Sequence, residues 1–429
     1  MTPSAAPPRL LLERMMHRQS IAVPGDSMAS YALFKLIPAG GSTPALPLTL
    51  TLALDISGSM YWDDGTGKSR LDRIRDAALA AVGKLRPTDK LAIVAFANGA
   101  KVILPSTLVS EKAKIEDMLT RIDRFDIDQA GTMMHEGIAL AFAEVAQSTE
   151  GVRQVVILTD GETAGESVCK EHAEAAGKNG VRFSVMGVGT EWNSSLVKEL
   201  AKLSGGRWYY IDADNPDEAT RVFLEEFDRL ADSGFTNVEI NIRPVKDVKV
   251  KRLRQVVPQI VEVALATPEE RLVTASLGTL ERSHPIKYIV DLSLPKRPDG
   301  KYVVAQVEIK FHAGLGNVET IGPIALEMTY TEAGNGYVNA EVARHIDEVQ
   351  IFELNANLQT AISTENNSEI QRVAEQIARK GDLLGPRSAK KTQLARQVLD
   401  ELSGSGRVSK KTQLAVDDAS RQADELPLM

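Results

Sequence analysis

What most constrains this chain is the rhythm of residues 47–233, where short apolar runs alternate with segments of helical period. Runs buried on both faces and separated by amphipathic helices belong to a parallel or mostly parallel sheet with helices on either side. Strand candidates fall at 48–55 (LTLTLALD), 91–97, 102–104, 154–159, 182–188 and 208–211. The helical segments between them fall at 71–85, 110–122, 133–146, 167–178, 194–203 and 216–230. Ser110, with Glu111 behind it, and Asn193 are read as helix caps. The expected fold class is α/β, with a Rossmann-like domain over 46–234.

After Gly234 the period changes to strict alternation: Val238, Ile240 and Ile242, then Ile286 to Leu294 by twos, then Val303, Ala305, Val307, Ile309 and Phe311. That pattern predicts an antiparallel β-sandwich with one apolar face per sheet. Residues 19–36 have the same look, so they are read as a strand pair of that sandwich, which is then discontinuous (17–45 and 235–335), with 1–16 set apart as an N-terminal segment. From Asn339 the helical period returns, with Val342, Ile346, Val349 and Phe352 on one face, and 338–429 reads as a helical bundle. Within it KKTQLA occurs at 390–395 and again at 410–415. Ser403-Gly404-Ser405-Gly406 reads as a flexible linker, and the acidic stretch from Asp417 to Glu425 as a poorly ordered end.

Composition narrows the function. A chain of 429 residues with a net charge of -8 offers no general attraction to nucleic acid or anionic lipid. Its one cysteine, Cys169, excludes an internal disulfide and has no Cys/His cluster beside it for zinc. The N-terminus lacks the apolar run of a signal peptide, and the longest apolar stretch, 46–56, is too short to cross about 30 Å of hydrocarbon. Neither nucleic-acid binding nor membrane insertion is expected, and the chain reads as cytoplasmic.

The chemistry gathers at strand ends. The first α/β strand ends in Asp55-Ile56-Ser57-Gly58-Ser59-Met60, a carboxylate and two hydroxyls at alternate positions. The strand over 154–159 ends in Asp160-Gly161, and Gly131-Thr132 stands just before a helix. Open α/β sheets bind ligands in the crevice beyond the carboxyl ends of their strands. Oxygen-only ligation by Asp55, Ser57, Ser59, Thr132 and Asp160 suits a hard divalent cation, Mg²⁺ or Mn²⁺ with Ca²⁺ as a further alternative. Two carboxylates cancel the ion's charge and leave a position free for an outside acid.

These motifs, DISGSM at 55–60, GT at 131–132 and LTDG at 158–161, resemble the metal-ion-dependent adhesion site of the von Willebrand factor A domain family. The resemblance covers about 46–232, and the all-β unit around it is similar to that of bacterial proteins in which the A domain interrupts a sandwich. It implies that Ser57, Ser59 and Thr132 bind the cation, that Asp55 and Asp160 act directly or through water, and that a partner's Asp or Glu completes the shell. By analogy it extends to an adaptor role, with a MoxR-type AAA+ ATPase or a kinase or phosphatase as partner. The stretch 61–69 (YWDDGTGKS) is longer than the family's usual link.

Several residues around the motifs carry two readings. Tyr61 and Trp62 are a partner-binding rim or a cover over the first helix; Asp63, Met133 and Glu162 complete the candidate rim, with Glu162 otherwise a solvated loop acid. GTGKS lacks the leading glycine of a phosphate loop, since Trp62 stands there. Asp126 and Asp128 read as loop-shaping, and His135 and His172 show no metal spacing. No nucleophile-base set or cofactor fingerprint appears, so a non-enzymatic binder is expected. The rivals are a metal-dependent hydrolase with Glu162, Asp63 or Asp64 as base, and a structural subunit with a vestigial site.

Overall fold

A computed structural model describes residues 9–23, 28–39, 45–63, 67–314, 318–333 and 336–423. Asp64, and Glu425 at the acidic end, lie outside the described residues. The chain divides into an α/β unit, 45–234, and a second unit made of 1–44 with 235–429. Ahead of the α/β unit run β1 (Leu10–Met16), β2 (Ser20–Ala22) and β3 (Met28–Pro38). Within it follow β4 (Leu48–Asp55), α1 (Arg70–Val82), β5 (Lys90–Ala97), β6 (Gly99–Leu108), α2 (Lys112–Thr120), α3 (Met134–Ala146), β7 (Val152–Thr159), α4 (Glu166–Lys178), β8 (Val181–Val188), α5 (Ser194–Ser204), β9 (Arg207–Ile211) and α6 (Glu218–Ala231). The strands after it are β10 (Ser233–Pro244), β11 (Lys249–Val257), β12 (Val261–Val263), β13 (Ala266–Glu269), β14 (Leu272–Glu281), β15 (Ile286–Leu294), β16 (Gly300–Ala313) and β17 (Val318–Thr331), and the helices are α7 (Ala340–Ser363), α8 (Asn367–Leu384), α9 (Ala389–Ser405) and α10 (Lys410–Arg421).

The α/β unit is built on a six-stranded sheet in the order β6-β5-β4-β7-β8-β9, parallel except for β6. Every residue of β4 is buried, which is why it reads as one continuous apolar run. Leu48, Leu50, Leu52 and Leu54 share a core with Ile74 and Ala78 of α1 and Phe223 and Phe227 of α6. Each such side chain is worth about 1.5–3 kcal/mol of burial. The chain runs from β4 to β5 on one side and later returns to β7 on the other, so the crevice opens at the tip of β4. The strand expected at 102–104 is only the centre of β6, which turns back at Asn98 to pair antiparallel with β5. Asn193 caps α5 by accepting from the Ser195 and Leu196 amides. Ser110 does not cap α2: Val109–Glu111 is a 3-10 turn, and the Ser110 amide donates to Pro87 O.

The second unit holds two sheets, β1-β3-β15-β11-β12 and β13-β14-β10-β16-β17-β2, whose inner faces meet in one core. Phe34, Tyr288 and Val290 come from the first sheet, and Ile240, Val307 and Phe311 from the second. Three sequence expectations change here. Residues 10–16, set apart with the N-terminal segment, form edge strand β1, paired with β3; Leu10 and Leu12 point inward while Leu11 between them is 43% exposed, so apolar residues on both faces hide the alternation. β2 and β3 are not a pair, since β2 lies parallel to β17 in the opposite sheet. Val303 breaks its row: a bulge between Val303 and Ala305 leaves it 40% exposed and buries Val304 instead.

The helices belong to the same unit as the sandwich. Asn339 caps α7, whose Val342 and Val349 pack on Leu33, Val256 and Ile289 of the sheet. Ile370, Val373, Ile377, Ala395 and Val398 join α8 and α9 in a separate core. Ser403, Gly404 and Ser405 are the last turn of α9 and not a linker; Gly406, at φ 72°, ends the helix. The acids Asp417 and Asp418 are buried in α10, where Asn355 Nδ2 donates to Asp417 Oδ1 (2.9 Å) and Arg421 and Gln422 hold Asp418. Backbone bonds from Ile260 N to Arg421 O (2.6 Å) and Ala423 N to Pro258 O (3.2 Å) tie that end down. Both KKTQLA copies open helices, and their threonines, Thr392 and Thr412, are buried.

Candidate metal centre

Beyond β4 the chain passes through extended Ser57 into a single 3-10 turn, Gly58–Tyr61, which brings Ser59 back over the strand tip. The turn is anchored from the next loop, since Gly58 N donates to Gln129 O (3.1 Å). That loop is fastened to β5 in turn: Asn98 N donates to Asp128 O (2.8 Å) and Met133 N to Ala97 O (2.6 Å). The loop after β7 closes the ring, with Thr163 Oγ1 (2.8 Å) and Ala164 N (3.1 Å) both donating to Thr132 O. The tips of β4 and β7 thus bring Asp55, Ser57, Ser59 and Asp160 together, and the loop that carries Thr132 is fastened beside them through its backbone.

Asp55 and Asp160 have no solvent exposure, and Ser57 has 4%. Asp55 Oδ1 accepts from Ser57 N and its Oδ2 from Thr159 Oγ1, both at 2.9 Å. The hydroxyls of Ser57 and Ser59 lie 3.3 Å apart, and Ser59 Oγ donates to Asp160 Oδ1 at 2.7 Å. Asp55, Ser57, Ser59 and Asp160 therefore form one connected set of oxygens. Burial pushes the Asp55 carboxyl up to about 6, against the pull of hydrogen bonds from Ser57, and the charge of Asp160 adds to the rise.

Two buried carboxylates this close are costly unless a positive charge stands with them. One such charge is on the chain: Arg70 Nη1 meets Asp160 Oδ2 at 2.8 Å. The remaining donors are hydroxyl and carboxylate oxygens on an otherwise polar strand tip, a set that fits Mg²⁺, Mn²⁺ or Ca²⁺ and not the nitrogen or sulfur preference of zinc. If a divalent cation binds here, Asp55, Ser57, Ser59, Thr132 and Asp160 are the residues that would hold it, and it would supply Lewis acidity and an outward coordination position.

The candidate rim divides. Tyr61 packs half-buried on the α/β core, whereas Trp62 is 59% exposed with the Arg70 guanidinium 5.5 Å from its ring centre. Asp63 is exposed and accepts the Gly67 amide (3.0 Å); Glu162 is exposed, and Met133 is half-buried. Asp128 shapes its loop, accepting from Asn98 Nδ2 and Ala130 N, and those bonds hold its carboxyl below the ordinary range. His135 Nδ1 faces Ala164 O at 3.3 Å. Cys169 is a core thiol, pushed up to about 12 by burial and by Glu166. In GTGKS, Ser69 caps α1 in a capping box with Asp72.

Sequence reasoning missed three participants. Thr159 is adjacent to Asp160, so its place at the strand tip was readable, but its bond to Asp55 spans neighbouring strands. Thr163, which bridges Thr132 O and the Met134 amide, and Arg70, which grips Asp160, depend on loop closure that no local spacing encodes.

Comparison with known proteins bears on the fold. Residues 50–162, within the α/β unit, match the von Willebrand factor type A domain. Among curated proteins the chain is 28% identical over 272 residues to the uncharacterized protein sll0103 of Synechocystis, covering 62% of each chain. It is 27% identical over 213 residues to the uncharacterized protein YfbK of Escherichia coli, covering 47% of this chain and 33% of that one. The chain therefore spans less than two thirds of these bacterial relatives. Among solved structures, a von Willebrand factor type A protein from Catenulispora acidiphila superposes with a TM-score of 0.78 over 97% of both chains at 15% identity. The ArnB paralog VWA2 from Sulfolobus acidocaldarius gives 0.56 at 13% identity, over 96% of this chain and 98% of that one. At such identities the likeness is one of fold.

Proposed function

We propose that this chain is a metal-dependent protein-binding module of adaptor type. A Mg²⁺ ion, or Mn²⁺ or Ca²⁺ in its place, is held by Asp55, Ser57, Ser59, Thr132 and Asp160, and an Asp or Glu of a protein partner takes its outward position. The observation that carries this reading is the pair of fully buried carboxylates, Asp55 and Asp160, linked at the tip of β4 through Ser57, whose amide donates to Asp55, and Ser59, whose hydroxyl donates to Asp160. Trp62, with its exposed ring beside the crevice, is the rim residue best suited to pack on that partner. We read the chain as a binder and not an enzyme, because a hydrolase needs a base positioned near the ion. Asp63 is engaged by the Gly67 amide and Glu162 stands exposed, which favours neither for that task. No helix among the described residues is long and apolar enough to cross a membrane. With the net charge and the single buried cysteine this suits a cytoplasmic role, and a MoxR-type AAA+ ATPase, a kinase or a phosphatase is the partner class we would try first.

Calorimetry with Mg²⁺ and Mn²⁺ on the wild type and on Asp55→Ala/Ser57→Ala tests the site, paired with pull-downs with and without chelator. The reading expects binding in the wild type alone, and a partner lost both on chelation and on substitution. A wild type that binds neither ion overturns it.

A further inference from the structure

Of the insert over 61–69 the proposed function uses only Trp62. The insert's ends are clasped: Asp63 and Ser69 form an isolated bridge, Arg70 N donates to Trp62 O (3.3 Å), and the Ser69 capping box fixes where α1 begins. This clasp sets the first residue of α1 beside the exposed Trp62 and aims it at the crevice. The Arg70 guanidinium lies over the Trp62 ring at 5.5 Å and donates to Asp160 Oδ2 at 2.8 Å, with its side chain 17% exposed. On its other side runs Gly189, where a Cβ would stand 3.4 Å from Arg70 Nη2. Both oxygens of Asp160 are therefore engaged, Oδ1 by Ser59 and Oδ2 by Arg70.

We propose that Arg70 is a resident counter-ion of the metal site: it neutralises Asp160 when no divalent cation is bound, opposes the cation when one arrives, and so sets the affinity of the site. The inference rests on the metal reading above. A dication drawn to Ser59 and Asp160 approaches the same buried carboxylate that the guanidinium grips, and like charges sharing one carboxylate repel in a site where water screens them poorly. The same guanidinium offsets the cost of burying Asp160 in the metal-free protein. Arg70 touches no partner in this account; it acts through Asp160 and is a positioning residue. The Asp63–Ser69 bridge and the Ser69 capping box then hold that charge in place between Trp62 and Asp160.

The test is Mn²⁺ binding by calorimetry to the full chain, comparing wild type with Arg70→Met, Arg70→Gln and Arg70→Lys, together with metal-free thermal melting read by tryptophan fluorescence. Arg70→Met and Arg70→Gln are expected to bind Mn²⁺ about tenfold tighter than wild type and to melt lower without metal, whereas Arg70→Lys, which keeps the charge, stays near wild type on both counts. Two neutral variants guard against one of them folding badly, and recovery of its melt by Mn²⁺ would itself support the proposal. Neutral variants that bind Mn²⁺ as weakly as wild type or more weakly, or Arg70→Lys binding as tightly as they do, overturn this inference and leave the metal site standing. Absence of Mn²⁺ binding in every chain, wild type included, overturns the metal reading and this inference with it.

Discussion

Asp55→Asn should stabilise the metal-free protein and abolish its protection by metal. Asp55 has no solvent exposure, and its carboxyl stands at about 6 against an ordinary 3.8. At 1.36 kcal/mol per factor of ten, that difference is about 3 kcal/mol by which ionised Asp55 weakens the fold at pH 7. The sign follows from proton binding. Between pH 3.8 and about 6 the folded state holds the proton more tightly than the unfolded chain, so this contribution costs stability as pH rises and vanishes as pH falls toward 4. An amide of the same shape carries no such penalty, so the variant should exceed wild type by about 1–3 kcal/mol at pH 7 and match it near pH 4. With Mn²⁺ at a hundred times its dissociation constant the wild type gains about 2.7 kcal/mol and the variant nothing. Urea unfolding followed by tryptophan fluorescence reports on the α/β unit alone, because the chain's 3 tryptophans, Trp62, Trp192 and Trp208, all lie within it. A metal-free Asp55→Asn chain less stable than wild type at pH 7, or one that Mn²⁺ protects equally well, refutes the reasoning.

The same fluorescence readout checks the remaining expectations. Glu226, fully buried, accepts from Tyr209 Oη (2.6 Å), from Ser184, and twice from Arg229; burial pushes its carboxyl up, but Arg229, Arg207 and Ser184 outweigh that and hold it below the ordinary 4.5. Its contribution is therefore present above pH 4.5 and lost as pH falls through the depressed value, and Tyr209→Phe should cost about 2 kcal/mol at pH 7; no loss would mean the bond is made equally well by water. Arg229→Met should cost about 3–5 kcal/mol at pH 7, because it leaves Glu226 buried with too little positive charge, and a loss under about 1 kcal/mol would contradict the burial. Gly187→Ala places a Cβ 2.1 Å from Trp192 Cε2, so the urea midpoint should fall by the equivalent of about 1–3 kcal/mol. Trp62→Ala, at a position 59% exposed, should leave stability within about 0.5 kcal/mol, and a larger loss would make the ring structural.

The central strands and the ligand motifs were legible because both are local. β4 is buried on both faces, so its apolar run is continuous, and it stops at the carboxylate that does its chemistry at the tip. Edges were harder. β1 and β6 are partly exposed, so inward and outward residues mix and neither periodicity stands out. The bulge at Val303 shifts alternation by one residue, a change that comes from its pairing with β17 and not from its own composition. Asp417 and Asp418 read as part of a poorly ordered end because charge predicts exposure until a partner is known, and their partners include Asn355, distant in sequence. Arg70 belongs to the same class: a charged residue at a helix start has many ordinary uses, and only the pairing of Asp63 with Ser69 sets it beside Asp160.

The α/β unit begins and ends at one place, for Leu46 N donates to Ser233 O at 3.1 Å. Folded, the unit presents the polypeptide around it with a connection scarcely longer than a hairpin turn. Unfolded, it is a loop of about 190 residues whose ends must be brought together before β3 and β10 can take their places, and closing a loop that long costs about 4 kcal/mol more than closing a tight one. The sandwich therefore inherits part of its stability from a unit that supplies none of the described residues of its core. A ligand that tightens the α/β unit acts at a distance on the sheets, through the entropy of the chain alone.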